Sequence, residues 1–407
     1  MKIVGNKYDT FVILLLVSLA GGMAGGAIQV SRLVTIILFF PMLSKIRLVL
    51  DRYLYAVLLF IVLFLSWALF SFCWTPDRST GVNDLVNLIL SISYFLELIV
   101  FVRLSSASLK YISMGWIIAF IITAIIGLWE LSTGNHLSFI KEATDTHNIG
   151  GGEIITAGYA SSTFYNSNTY VTFICFLLPF LFNLTVLRYK TYIMNFVKYA
   201  PLLAAIYIMI SNASRGGIVV LFIMTVLFYV MRLKKMAAIV TLLFIAFIII
   251  NLVISHSESF AQYIIYRFQA TDSDSESRFF IWKSALEVCS DYCFIGSGVG
   301  SMQQALLNVR SSVQATHNLF VELFMQYGVF ILLLFLLLIY KAFKLGMKKS
   351  VEVRYLIYAT IFAMPFTMII DSVYLTSIEV WAYYATLFLL ATQRTNLKCN
   401  SLQIKNA

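Results

Sequence analysis

Apolar residues run in long stretches along this chain, with short polar segments between them. A helix that crosses the roughly 30 Å hydrocarbon core of a bilayer needs about 20 mostly apolar residues. The pattern therefore predicts about twelve transmembrane helices, several of them short. These are residues 10–26, 30–43, 53–72, 85–102, 111–131, 170–187, 196–210, 218–231, 237–254, 319–340, 355–370 and 377–392. The predicted fold is an all-α, polytopic integral membrane protein.

Two polar stretches interrupt the apolar runs, one after helix five and a larger one between helices nine and ten. They divide the chain into a transmembrane scaffold (1–131), an outer loop (132–168), helices six to nine (169–254), a large outer loop with an amphipathic helix (255–316), the last transmembrane helices (317–392) and a cytoplasmic tail (393–407). The first run has a basic start but is soon followed by another spanning segment. We therefore predict an uncleaved first helix rather than a signal peptide.

Composition supports lipid as the solvent of this chain. Hydrophobic residues make up 60% and charged residues 12%, and the mean hydropathy is +0.88. A soluble domain needs far fewer apolar residues to fill one core. The five cysteines are scattered and form no zinc framework, and Cys289 and Cys293, four apart on a predicted helix, are interpreted as small buried side chains rather than a disulfide.

Basic residues indicate how the chain is oriented, because cytoplasmic loops carry the excess of Lys and Arg. They cluster at both ends and in alternate loops, at residues 45–52, 103–110, 188–198, 232–235 and 341–354. Both termini are therefore predicted to be cytoplasmic, and both long polar loops and the 211–217 turn lie on the outer face. The net charge of +10 follows from this topology rather than from nucleic-acid binding. No P-loop or Rossmann glycine pattern supports a nucleotide substrate.

Arg215 is an arginine on the predicted outer side, against the positive-inside trend. It stands in Ser-Asn-Ala-Ser-Arg-Gly-Gly, where Gly216 and Gly217 allow a backbone or a ligand to approach closely. Its guanidinium matches phosphate oxygens, so a lipid-linked diphosphate is the expected ligand. The alternative is an interfacial arginine that reaches the lipid headgroups.

A second arginine, Arg278, lies in the first turn of a predicted amphipathic helix at 275–286. Phe279, Phe280, Trp282 and Leu286 are available there for the membrane surface. The cation opposes the helix dipole, which favours an anionic partner. This partner is either a ligand or an acid among Asp272, Asp274 and Glu276. The same three acids could also bind a metal ion, but they lack the Gly and the distal Glu of a calcium loop. The glycines at 296–300 that follow resemble a phosphate loop only superficially, and a turn is the simpler interpretation.

His317 opens helix ten at the predicted outer boundary and can change protonation near neutral pH. It is a candidate general base for a sugar hydroxyl, with Asn318 or Glu322 to position it or the acceptor. The alternative is a polar residue that caps the helix at the interface. Glu322 and Glu97 are acids inside apolar runs, which makes each a functional candidate.

In this order these elements resemble the O-antigen ligase and polymerase family of bacterial envelope glycosyltransferases. The resemblance is best over residues 163–328. It rests on Thr-Phe-Tyr-Asn-Ser-Asn at 163–168 with Asn166 and Asn168, on Ser-Arg-Gly-Gly at 214–217, on the Arg278 segment, and on His317-Asn318 followed by Glu322 and Gly328. The first half shows little motif resemblance.

The resemblance implies transfer of a glycan from an undecaprenyl-diphosphate carrier to an acceptor hydroxyl, at the outer leaflet of a bacterial inner membrane, without metal or other cofactor. By position, Arg215 and Arg278 would hold the diphosphate, and His317 would deprotonate the acceptor. Asn166, Asn168, Gly216, Gly217, Asn318 and Glu322 would bind substrate. A chain-length regulator is a candidate partner.

Within the family we favour a polymerase that joins repeat units into O-antigen or capsular polysaccharide. A ligase acting on lipid A core and a protein O-oligosaccharyltransferase share the donor and differ in the acceptor. A flippase or secondary transporter would show inverted repeats and midplane charges, whereas the polar candidates here lie in outer loops. A structural membrane protein would use its 15% aromatic residues only as interfacial anchors.

Overall fold

The computed structural model describes residues 6–22, 24, 28–137, 148–149, 153–154, 159–164, 166–187, 191–212, 214–232, 271–309, 315–371 and 374–392. The predicted helix at 237–254 and the predicted tail at 393–407 lie outside the described residues, as do parts of both long polar loops. For residues 271–277 the helix is described without its side chains.

Helices make up most of the described chain. They are α1 Lys7–Ser18, α2 Val30–Leu43, α3 Arg52–Phe70, α4 Arg78–Leu104, α5 Ser108–Thr133, α6 Ser167–Thr185, α7 Tyr192–Val197, α8 Ala200–Ser211, α9 Arg215–Arg232, α10 Thr271–Asp291, α11 Met302–Asn308, α12 Leu319–Gly346, α13 Val351–Thr367 and α14 Ile378–Thr392. Short 3₁₀ turns follow α1, α2 and α3. Two antiparallel strands of two residues each, β1 Asn148–Ile149 and β2 Glu153–Ile154, form a small hairpin.

Seven spans in the described residues are long and apolar enough to cross a membrane: α3 with its 3₁₀ turn, α4, α5, α6, α7 together with α8, α9, and α12. The helices α2 and α14 are apolar but shorter. The all-α membrane fold is confirmed, and the total of twelve helices stays a prediction.

Two helix boundaries differ from the sequence prediction for identifiable reasons. The helix predicted at 10–26 already ends at Ser18 and passes through a 3₁₀ turn to Gly22, whose φ of +48° suits glycine. The helix predicted at 196–210 is preceded by the separate α7, because α8 starts anew with a proline in its first turn.

Helix α6 lies in the middle of the bundle. Nearly all of its side chains are buried, and it contacts α5, α8, α9 and α13. Around it α9 packs along α13, α4 along α14, and α1 along α5. Gly115 permits the last of these contacts, since a Cβ there would lie 2.8 Å from Cβ of Leu16. Large apolar side chains such as Phe40 and Phe222 face outward, as expected for a surface that contacts lipid.

Candidate functional site

Two of the predicted catalytic residues lie in helices, Arg215 in α9 and Arg278 in α10, and His317 lies just before α12. All three helices contact residues 368–371, the segment that follows α13. The backbone N–H of Leu319, two residues after His317, donates to the carbonyl of Met368 at 3.2 Å. Nη1 of Arg278 donates to the carbonyl of Ile369 at 3.1 Å. The 368–371 segment therefore joins the start of α12 to the arginine of α10.

The third contact of this segment is with the start of α9, where Arg215 is the first helical residue. A Cβ on Gly216 would lie 2.7 Å from Cγ1 of Ile370, and one on Gly217 would lie 2.7 Å from Cγ1 of Val171. Both glycines thus allow α9 to approach neighbouring protein, and their use in substrate binding stays a prediction. Since α9 begins at Arg215, its positive dipole end and the guanidinium occupy the same end of the helix.

Helix α10 places Arg278 by a second anchor four residues further on. The indole N–H of Trp282 donates to the carbonyl of Thr316 at 2.9 Å, immediately before His317. The helix is longer than the predicted 275–286, and Phe279 and Phe280 on its outer face are 72% and 52% exposed. Of the aromatic residues proposed for the membrane surface, Trp282 instead faces the protein, because its N–H has a buried acceptor there.

His317 has a left-handed backbone, with φ of +46°. Such a conformation is uncommon outside glycine, although histidine adopts it more often than most residues, and in native structures it clusters at functional sites. The neighbours hold it in place: Oγ1 of Thr316 donates to the carbonyl of Asn318 at 3.3 Å, and Oδ1 of Asn318 accepts the N–H of Phe320 at 2.9 Å. Asn318 is therefore the N-cap of α12, and its predicted substrate contact remains untested.

Glu322 is 1% exposed and supports the 368–371 segment from inside. Its carboxylate accepts the backbone N–H of Tyr374 at 2.9 Å and of Leu375 at 3.2 Å. The Tyr374 hydroxyl in turn accepts the N–H of Asp371 at 2.6 Å and donates to the carbonyl of Thr367 at 3.3 Å. Burial raises the pKa of Tyr374 well above its usual range, so the hydroxyl remains a neutral donor. Glu322 thus fixes the backbone of residues 374 and 375, and its predicted contact with substrate stays a prediction.

The glycine turn at 296–300 does not present its amides to a ligand. The N–H groups of Ser297 and Gly298 donate to the carbonyls of Met325 and Gln326 at 2.8 and 3.0 Å. Those carbonyls belong to α12, which is broken at Gly328 with φ of 81° and ψ of 178°. The turn therefore satisfies backbone groups at a helix break, and the resemblance to a phosphate loop has no structural counterpart.

A cluster that the sequence analysis did not assign surrounds Glu130 at the end of α5. Its buried carboxylate accepts the backbone N–H groups of Ser161 and Ser162 at 2.8 and 2.6 Å, and Oε1 lies 2.8 Å from Nδ1 of His136. Asn212, three residues before Arg215, makes two hydrogen bonds with the backbone of Ala160, at 2.7 and 2.8 Å. Segment 159–164 is therefore fixed beside the 211–217 turn. The sequence feature that could have indicated this cluster is an acid, Glu130, at the predicted outer end of a helix, followed by a histidine, His136.

The remaining candidates lie apart from the 368–371 segment. Asn166 is the N-cap of α6, with Oδ1 accepting the N–H of Thr169 at 2.8 Å, and Asn168 is exposed in the first turn. No hydrogen bond among the described residues joins either of them to residues 368–371. Glu97 is fully buried on α4, and its carboxylate has no hydrogen-bond partner among the described residues.

Comparison with known proteins gives two similarities. Residues 200–336 match the family model described as O-antigen ligase. The teichuronic acid biosynthesis protein TuaE of Bacillus subtilis is 24% identical over 291 residues, which are 68% of this chain and 58% of that protein. The match thus spans little more than half of the relative. The family match covers Arg215, Arg278 and His317, and with the relative it confirms the resemblance stated from the motifs.

Proposed function

We propose that this membrane protein, which is similar to O-antigen ligases and polymerases, is a glycosyltransferase that builds envelope polysaccharide on the outer face of the membrane. Its donor would be a polyprenyl-diphosphate-linked oligosaccharide, and its acceptor a hydroxyl of a second lipid-linked glycan. The product of repeated transfer is a polymer. The predicted topology, with both termini in the cytoplasm, belongs to this proposal.

The observation that carries the proposal is the 368–371 segment. Three successive residues of this segment each contact a different element. The carbonyl of Met368 contacts the start of α12, which follows His317, and the carbonyl of Ile369 contacts Arg278 of α10. The side chain of Ile370 contacts the start of α9, which carries Arg215. His317, Arg278 and Arg215 are between 39 and 102 positions apart in the sequence (317 − 278 and 317 − 215). One short turn therefore contacts the three elements that carry two arginines and one histidine, and this supports the proposal that these residues act on one diphosphate.

The proposed step begins with the acceptor hydroxyl. His317 takes its proton, the oxygen attacks the anomeric carbon of the donor sugar, and the bond from that carbon to the diphosphate oxygen breaks. The electron pair leaves with the polyprenyl diphosphate. Negative charge grows on this leaving group in the transition state, so cations positioned beside it stabilise the transition state more than the bound substrate.

Arg278 and Arg215 suit this task in different ways. A guanidinium has five N–H donors, and the contact of Arg278 with Ile369 uses one of them while fixing the position of the group. Arg215 adds the N-terminal end of α9, whose first backbone N–H groups and dipole favour an anion. Both can form paired hydrogen bonds with phosphate oxygens.

A ligase is the second candidate, because the family model that matches is described as O-antigen ligase. A ligase would use the same donor and transfer finished polymer to a lipid A core or another envelope acceptor. A protein O-oligosaccharyltransferase would differ again only in its acceptor. A transporter would lack the need for a base, so it would tolerate loss of His317.

The test is deletion of the gene followed by complementation with wild type, Arg215→Ala, Arg278→Ala or His317→Ala, and separation of the surface glycans on a gel. Lys283→Ala, an exposed cation on the same helix as Arg278, is the matched control. A single repeat unit on its acceptor in the deletion and the three variants supports a polymerase. Long polymer that accumulates on the carrier supports the ligase, and a normal ladder in the three variants contradicts the proposed chemistry.

A further inference from the structure

A cavity of about 290 Å³ lies between α3, α12 and α14. Its lining on α12 begins at Phe335, whereas the 368–371 segment contacts α12 at Leu319. Its walls are apolar, with Phe60, Phe95, Leu338 and Leu387 among them, and three alanines line it where larger side chains would fill the space: Ala56, Ala342 and Ala391. Packed protein interiors contain few voids larger than a water molecule, so a space of this size and polarity calls for an apolar occupant.

Outside the cavity, α3 and α12 contact each other through two aromatic side chains. The rings of Phe64 and Tyr327 meet edge to face there with centroids 4.8 Å apart. Gly328, the next residue of α12, breaks the helix, and the first cavity-lining residue of α12 is Phe335. The cavity therefore lies beside the part of α12 that follows the break.

The open end carries positive charge. Arg52 and Lys341 both line it and both are exposed. Tyr53 and Thr392 line it as well. The neighbouring cation Arg103 is neutralised, since its Nη1 lies 3.0 Å from Oδ1 of Asp51. Two cations therefore remain at the rim, on the face that the Lys and Arg pattern assigns to the cytoplasm.

The depth of the cavity matches one leaflet. Lining residues run from Arg52 to Ile61 on α3 and from Thr392 to Trp381 on α14, which at about 1.5 Å per residue is about 14–16 Å. Half of a hydrocarbon core of roughly 30 Å is about the same length. A chain that enters at the headgroup level and ends near the bilayer midplane would fill it.

We propose that this cavity binds one anionic phospholipid of the leaflet at the basic face, with an acyl chain between α3, α12 and α14 and the phosphate between Arg52 and Lys341. The apolar walls, the leaflet depth and the two rim cations each fit one part of such a lipid. The site is separate from the proposed transfer chemistry, and its test does not depend on that chemistry.

The test is native mass spectrometry of the full chain released from nanodiscs with equal phosphatidylglycerol and phosphatidylcholine, with and without added undecaprenyl phosphate. Each cation near an anionic lipid is worth about fivefold in binding, so two predict a preference of about thirtyfold for phosphatidylglycerol. We expect wild type to retain one phosphatidylglycerol. Arg52→Gln with Lys341→Gln should lose the preference, whereas Lys348→Gln, an exposed cation of the same face outside the cavity, should keep it.

A variant that fills the cavity tests whether the lipid binds between its apolar walls. Ala56→Phe should retain no lipid, while Leu59→Phe, on the outward side of the same helix, should retain it as wild type does. Ala342→Phe fills the same space from α12 and replaces the first variant if that one does not fold. The proposal is overturned if wild type carries no lipid, if the retained lipid is undecaprenyl phosphate or shows no headgroup preference, or if the filling and rim variants retain lipid unchanged.

Discussion

Gly216→Ala is the substitution that most selectively disturbs the proposed site. The new Cβ would lie 2.7 Å from Cγ1 of Ile370, whereas carbon atoms pack at about 3.5–4.0 Å. Either the Ile370 side chain changes its conformation or the start of α9 and the 368–371 segment separate by about 1 Å. Overpacking of this kind costs about 1–3 kcal/mol of stability, and a misplacement of about 1 Å in a reacting site lowers the rate about a hundredfold.

Gly115→Ala is the matched control, because its Cβ would meet Leu16 at 2.8 Å in the contact between α1 and α5, away from the site. Both variants should lose similar stability in thermal unfolding of the purified chain. Only Gly216→Ala should lose transfer activity, measured as the rate at which polymer forms from a lipid-linked oligosaccharide. Combining it with Ile370→Ala, which removes the clashing atoms, should recover part of the rate. Equal activity losses at Gly115 and Gly216, or no recovery in the double variant, would refute the reasoning.

Three further predictions concern the supports and the topology. Glu322→Ala leaves two buried N–H groups without their acceptor at about 1–3 kcal/mol each, so unfolding should show a loss of about 2–6 kcal/mol, and a loss below 1 kcal/mol would contradict this role. Trp282→Phe should lower the transfer rate and change the melting temperature little, since it removes the hydrogen bond beside His317. A membrane-impermeant maleimide added to intact cells should label exposed Cys293, and Cys399 only after permeabilisation; the reverse would invert the topology.

Local signals in the sequence, the long apolar runs, predicted most of the described helices. Residues 211–217 were predicted as a turn with the next helix beginning at 218, whereas α9 already begins at Arg215. A Gly at 328 in a run of good helix formers was a local sign of the break in α12. The 296–300 turn that contacts α12 at this break is 28 or more residues earlier in the chain. Local pattern therefore predicted elements, and pairing between distant elements had to come from the structure.

The 368–371 segment shows this limit most clearly. Residues 355–370 were predicted as one helix, and nothing in Met-Ile-Ile-Asp distinguishes a segment that receives contacts from three other elements. Trp282 was assigned to the membrane surface because an aromatic residue on an amphipathic helix usually lies there, and the acceptor that turns it inward belongs to Thr316. Glu130 was passed over for the same reason, since its partners follow it by up to 32 positions.

Arg215 and Arg278 are proposed to act on the same leaving group, with His317 as the base. The direct measurement is the transfer rate of the purified full chain in nanodiscs, with a polyprenyl-diphosphate-linked oligosaccharide as donor, for both single arginine variants, their double variant and His317→Ala. Groups that stabilise one diphosphate together should be non-additive, so the double variant should lose much less than the product of the single losses. Strictly multiplicative losses, or a wild-type rate in His317→Ala, would contradict the account.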